Sequence, residues 1–306
     1  MKISIGPPLF DWGKKGFRTF FKQMAYETSA DILYLGEVVC SKRYNLTPEE
    51  MVELAGELKD SGKEVVFSTL GLVMSDGEIE NVRKVVENAR ELGLKFEAND
   101  MAAVGIGEGH PMVAGPHITT YNPETLSFLA EVGVNRLVPP VELPLHTIKA
   151  LVNDYRGPVM EFEVFAHGRL PLTFSARCYT SRAFHLPKND CHYKCGEFPD
   201  GMEVKTQEDS PILVMNGTET MSEKVYNLVD QVDVMRETGV DIVRLSPQSK
   251  HMAELVGVWR DRIDGRVDGE EALARMMPFN DDKGFCNGYF YGKAGLDFIP
   301  AAKSST

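Results

Sequence analysis

The sequence predicts an α/β protein built as a TIM-like (β/α)8 barrel, with one long cysteine-bearing loop after its seventh strand. Two observations carry that prediction. In the first, an amphipathic helix ends in Gly and a short β-branched or aromatic run follows. It reads ELAGELKDSG then KEVVFST, VVENARELG then LKFEAND, TLSFLAEVG then VNRLVPP, IKALVNDYRG then PVMEFEVF, and LVDQVDVMRETG then VDIVRLSP. The glycine supplies a left-handed C-cap, and the run after it has the length and residue types of a buried parallel strand. In the second, KISIG at the start, DILYLG at 31–36 and MVAGP at 112–116 bring the strands to eight. Eight strands alternating with helices favour a closed barrel over an open sheet. IGPPLFDW after the first strand offers no glycine-rich turn for a dinucleotide.

Helices are predicted at 14–26, 47–61, 76–92, 122–132, 143–155, 222–238 and 249–263. Residues 1–306 read as a single barrel domain with an insertion at 169–217 and a C-terminal tail at 280–306. That insertion is far longer than an ordinary βα loop, and long loops tend to carry function. Its second half, GMEVKTQEDSPILVMNG (201–217), reads as a β-hairpin. The tail is rich in glycine and aromatic residues and is expected to pack across an end of the barrel.

Composition narrows the function. A net charge of −12 excludes a general polyanion binder, so no nucleic-acid partner is expected. No run of eighteen apolar residues exists to span a membrane. MKISIGPPLFDWGKKG lacks the apolar core of a secretory signal, so a cytoplasmic location is expected and disulfides are not.

The cysteines are therefore thiols, either buried or bound. Cys178, Cys191 and Cys195 are spaced C-x12-C-x3-C in the loop after the seventh strand, and Cys40 follows the second strand. In a barrel all four lie on the face where the strands end. The Cys191–Cys195 spacing suits one helical turn that aims both sulfurs the same way. Three readings stand at this point: isolated structural thiols, a structural zinc site, or an iron–sulfur cluster. Cys286, in FCNGYF, reads as a buried thiol under the tail.

Other strand ends on that face carry Glu37, Asn99, Asp100, Tyr121, Asn122, Glu142, Glu163 and His167. Glu142, Glu163 and His167 are the candidate catalytic residues. Glu142 and Glu163 read equally as carboxylates that bond loop backbone, and His167 as a satisfied barrel-end histidine. Neither H-E-x-x-H nor G-x-S-x-G occurs, so the two strongest sequence signals of hydrolysis are missing.

EFEVFAHGRLPLTFSARC resembles the signature of the collagenase-like peptidase family, matched by Glu163, Phe165, His167, Gly168 and Cys178. The family pattern expects two closely spaced cysteines after this turn, whereas here the next one is Cys191. The set of Cys40, Cys178, Cys191 and Cys195, with Tyr121–Asn122 and Glu142–Leu143, is similar to one branch of the family. That branch acts in oxygen-independent ubiquinone biosynthesis. The resemblance implies a barrel holding a [4Fe–4S] cluster on Cys40, Cys178, Cys191 and Cys195, with Glu163 and His167 lining the site. It implies hydroxylation of the aromatic ring of a ubiquinone precursor without molecular oxygen, with prephenate as oxygen donor. The implied partners are a homologous cluster-bearing subunit, forming a heterodimer, and a lipid-binding accessory protein that presents the prenylated precursor. The alternatives are a collagenase-like peptidase and a non-catalytic partner with a structural metal site.

Overall fold

Period-two alternation sorts each strand's side chains between two environments. In the second strand Leu33 and Leu35 face the helices while Ile32 and Tyr34 face inward, and all four are buried. The computed structural model of the chain describes residues 1–43, 45–280 and 284–301. Its parallel strands are β1 (Lys2–Ile5), β2 (Ile32–Gly36), β3 (Glu64–Ser68), β4 (Lys95–Ala98), β5 (Met112–Ala114), β6 (Val134–Leu137), β7 (Glu161–Phe174) and β11 (Ile242–Leu245). They pair in sequence order, and β11 pairs with both β7 and β1 (Lys2 opposite Ile242, Ile5 opposite Leu245), which closes the barrel. All eight predicted strands are present in the predicted order.

Of the five glycines expected as left-handed C-caps, Gly62, Gly93, Gly133 and Gly239 have positive φ and Gly157 does not. Thr47 accepts from the Glu50 amide and Glu50 returns a bond to the Thr47 amide, which starts α2 (Pro48–Leu58). Ser75 caps α3 (Asp76–Leu92), and Gly93 ends it at φ 65°. α1 (Gly13–Tyr26), α5 (Pro123–Glu131), α6 (Leu145–Asp154) and α9 (Met252–Ile263) also lie within or close to their predicted spans. Their apolar faces form one shell outside the barrel, including Phe17, Phe21, Leu54, Val86 and Trp259. Each such buried side chain contributes about 1.5–3 kcal/mol relative to exposure. Short helices α4 (Met101–Ile106) and α10 (Gly269–Met276) appear where none was predicted.

One predicted helix is corrected. Within 222–238 only α8 (Val232–Thr238) is α-helical, after a 3-10 turn at Val229–Gln231; the first part belongs to strand β10 (Glu219–Asn227). Tertiary pairing overrides the local spacing, because β7 runs past the barrel rim and β10 pairs antiparallel with it (Glu219 opposite Phe174, Asn227 opposite His167). The predicted hairpin is present as β8 (Met202–Lys205) and β9 (Pro211–Asn216), and β9 joins β10. Tail strand β12 (Phe285–Cys286) adds to β10 in parallel, so this part of the tail extends the insertion's sheet. Residues 281–283 and 302–306 of the predicted tail lie outside the described residues. No helix among the described residues is long and apolar enough to cross a membrane.

The barrel interior holds charge. Glu163 accepts from Ser4 (2.6 Å), Tyr34 (2.5 Å) and Arg244 Nε (2.7 Å). Arg244 Nη1 donates to Glu97 at 2.5 Å and its guanidinium lies 4.2 Å from the Tyr34 ring centroid. Further down, Arg136 bonds Glu64 and Glu161 and reaches within 3.9 Å of Glu163. Burial would lift the Glu163 carboxyl, but Arg244 and Arg136 outweigh it and hold the group below its ordinary value.

Candidate metal centre and barrel mouth

At the end of β2 the chain turns at Gly36, φ 152°, where a Cβ would lie 2.2 Å from the Ser68 carbonyl oxygen. The loop beyond is organised by Glu37, whose Oε1 accepts from the Val39 and Cys40 amides (2.9 and 3.1 Å) and whose Oε2 accepts from Asn45. Burial pushes the Glu37 carboxyl up to about 7, against the pull of Arg43. Arg43 is buried and donates to the Leu9 carbonyl (2.7 Å) and to Asn216 Oδ1 (2.6 Å), tying the β1 and β2 loops to the hairpin.

The other three cysteines are stitched to this loop from separate points. Cys178 caps the short helix α7 (Tyr179–Ala183) through Sγ, 3.4 Å from the Ser181 amide. Thr180 Oγ1 accepts from the Gly217 amide (2.9 Å), and the next residue, Thr218, donates to the Val39 carbonyl (2.6 Å). Cys191 ends a 3-10 turn at Lys188–Asp190, and the Lys188 carbonyl accepts from Lys42 at 3.0 Å. Cys195 Sγ lies 3.7 Å from Asp11 Oδ2 on the β1 loop. Burial raises the Cys40 and Cys195 thiols, and Arg43 beside both opposes that rise.

The expected single helical turn between Cys191 and Cys195 is corrected. His192 (φ 50°) and Tyr193 (φ 52°) are both left-handed, so the chain breaks and Cys195 starts afresh in the 3-10 turn Lys194–Glu197. Two consecutive non-glycine residues in this region cost of the order of 1–3 kcal/mol each, and such strain concentrates at functional sites.

All five cysteines are free thiols. The four expected ligands are free sulfurs, and the buried Arg43 guanidinium stands beside Cys40 and Cys195. Among the described residues, no three His, Cys, Asp or Glu side chains are grouped as ligands of one ion. A four-iron cluster asks for a different spread, since each thiolate binds its own iron. Cys286 stands apart, 3.8 Å from the Lys224 carbonyl, with its thiol pushed up to about 12 by burial.

The candidate catalytic residues are not brought together. Glu163 is enclosed in the barrel's charge network. His167 is buried against Phe285, with Nε2 3.5 Å from Gln248 and Nδ1 without a partner; burial lowers its pKa to about 4. Glu142 is exposed and accepts from Tyr121 OH, a bond that raises the Tyr121 pKa to about 12 and links the loops after β5 and β6.

Asn216 and Glu219, which sequence reasoning did not single out, stand beside Arg43 at this junction. Glu219 is fully buried; Oε2 accepts from Asn216 (3.2 Å) and Oε1 has no partner, so burial pushes its carboxyl up to about 8. The folded chain therefore retains this proton after the unfolded chain has released it near the ordinary value. Stability is expected to fall as pH rises from about 4.5 to about 8. Glu219→Gln should remove that part of the dependence: its melting temperature relative to the parent should be higher at pH 9 than at pH 5.

The family model of peptidase family U32 matches residues 21–298. The chain belongs to peptidase family U32. U32 relatives carry two kinds of name. The chain is 23% identical to a collagenase of Porphyromonas gingivalis over 296 residues, covering 88% of this chain and 70% of that one. It is 23% identical to the 23S rRNA 5-hydroxycytidine C2501 synthase of Escherichia coli over 258 residues, covering 80% of this chain but 38% of that one. It is also 23% identical to an uncharacterized protease of Methanocaldococcus jannaschii, of which it spans 63%. This U32 family thus includes a protein that makes hydroxycytidine in ribosomal RNA as well as proteins named as proteases.

Proposed function

We propose that this U32 chain is a UbiV-type iron–sulfur subunit of a complex that hydroxylates the aromatic ring of a ubiquinone precursor without molecular oxygen. Its partner is a homologous UbiU-like subunit, in a heterodimer, and a lipid-binding accessory protein presents the prenylated precursor. The observation that carries the reading is that the segments bearing Cys178 and Cys191 are tied to the Cys40 loop while Arg43 stands beside both Cys40 and Cys195. A [4Fe–4S] cluster held by these thiolates supplies one-electron chemistry at a potential set by nearby charge and hydrogen bonds. Arg43 places a fixed positive charge beside Cys40 and Cys195, and Asn216 and Leu9 hold that charge still. The relative that makes hydroxycytidine supports oxidative chemistry on a ring within the family.

Anaerobic purification followed by iron and sulfide analysis tests the assignment. About four irons and four sulfides per chain are expected. A single zinc without sulfide overturns it, and cleavage of a peptide by the metal-free chain would favour the peptidase reading instead.

A further inference from the structure

A cavity of about 790 Å³ opens where β7 leaves the barrel beside the loop from β11 into α9 and the start of the β8–β9 hairpin. That is the size of a small-molecule site. Phe10, Val225 and Phe279 give it an apolar lining, and Arg169 and Lys250 bring two cations. Among the described residues that line it, Asp200 is the acid. Its carboxylate is taken up by Ser249, accepting from the amide (2.8 Å) and the hydroxyl. In a chain of net charge −12, this local balance of charge runs against the background.

The lining is fixed by bonds to both barrel strands. The Ser246 amide donates to the His167 carbonyl (2.8 Å), and Gln248 Nε2 donates to the carbonyls of Lys250 (2.9 Å) and Phe279 (3.3 Å). Gly168, at φ 125°, lets the two loops meet, since a Cβ there would lie 2.5 Å from Ser246 Cβ. A lining set before the ligand arrives loses little freedom on binding.

Arg169 indicates what the cavity takes. It is half-buried, and its Nη1 donates to the carbonyls of Ser222 (3.1 Å) and Glu223. Those carbonyls replace lost water but supply no counter-charge. Burial pulls the guanidinium below its ordinary value, and the carboxylates of Glu223, Asp200 and Glu203 do not make up the difference. Burial acts on Arg244 as well, but there Glu163 and Glu97 outweigh it. Engagement of Nη1 leaves Nε and Nη2, the side-on edge of the guanidinium, which matches two oxygens of a carboxylate or phosphate.

We propose that this cavity binds the oxyanion of a small organic acid, a carboxylate or a phosphate, held by Arg169 and Lys250 with its apolar part against Phe10, Val225 and Phe279. The site adjoins the cysteine loop through Phe10, whose neighbour Asp11 lies beside Cys195 Sγ. It stands on its own residues and holds whatever the thiols bind.

The test is saturation-transfer NMR titration of the full chain, purified anaerobically with its iron content recorded. The probes share one aliphatic body: hexanoate, hexyl phosphate, neutral hexanamide and hexylammonium. The better of the two anions should bind roughly 10-fold or more tighter than hexanamide, as expected of hydrogen bonds to a charged donor, and hexylammonium should bind weakest. Which anion is better tells a carboxylate site from a phosphate site. Arg169→Gln should cut the preference over hexanamide to below about threefold. Lys250→Glu, at an exposed side chain, should do the same by setting a negative charge on the lining, and serves if Arg169→Gln does not fold. Equal binding of anions and amide, no saturation by either anion, tighter binding of hexylammonium, or an unchanged preference in the folded variants overturns the proposal. None of these outcomes depends on the iron content, so a failed cluster assignment and a failed anion site remain distinguishable.

Discussion

Replacing Cys40, Cys178, Cys191 or Cys195 with alanine is expected to abolish the absorption near ~400 nm of the anaerobically purified chain, while Cys286→Ala leaves it intact. The contrast follows from placement. The first four thiols sit on segments tied to the loops after β1 and β2, directly or through Gly217 and Thr218. Cys286 pairs into the insertion's sheet opposite Tyr226. Ultraviolet–visible spectra with iron analysis on all five variants provide the check, and colour lost only in Cys286→Ala refutes the ligand assignment. Ordinary destabilisation is separated by the melting temperature: loss of colour in a variant that still melts cooperatively belongs to the site.

Arg244→Met should cost about 3–5 kcal/mol of stability, the usual penalty for removing one partner of a buried ion pair. It leaves Glu97 and Glu163, both fully buried, facing each other without the cation between them. Denaturant unfolding of parent and variant measures the loss. The charge term can be isolated, because replacing Glu97, Arg244 and Glu163 together with apolar residues of similar volume should recover part of the loss, the remainder belonging to Ser4, Tyr34, Ser68 and Asn99 left without acceptors. A triple variant as unstable as the single one would show that the shape of the network, not its uncompensated charge, sets the cost.

The barrel was legible because its strands announce themselves locally. Gly62, Gly93, Gly133 and Gly239 each precede a strand, and all four have positive φ. α4 was not legible, since MAAVGI carries a glycine inside its short helical run and ends at a second one, Gly107. β10 was misread because Val225, Leu228, Val232 and Met235 have helical spacing, and only pairing with distant β7 and β9 makes the first part extended. The same distinction governs the site. Loop order alone placed Cys40 and Cys178 on one face. The roles of Arg43, Asn216 and Glu219 depend on contacts more than 170 residues apart in sequence, such as the bond from Arg43 to Asn216, and no local pattern encodes those. The charge held inside the barrel was hidden likewise, because Glu97, Arg136 and Arg244 look like single polar residues in short apolar runs.

Closure of the barrel by β1 and β11 also sets an order of events during synthesis. β1 leaves the ribosome first and pairs with β2, but its other edge waits for Ile242–Leu245. At about 5–20 residues per second that interval lasts roughly 12–50 s. Throughout it, a growing sheet presents an unpaired edge whose outer face carries Ile3 and Ile5, the kind of surface on which nascent chains associate with one another. A holdase chaperone acting before residue 245 emerges, or slower growth at lower temperature, should therefore govern the yield of folded chain more than any change at the mouth.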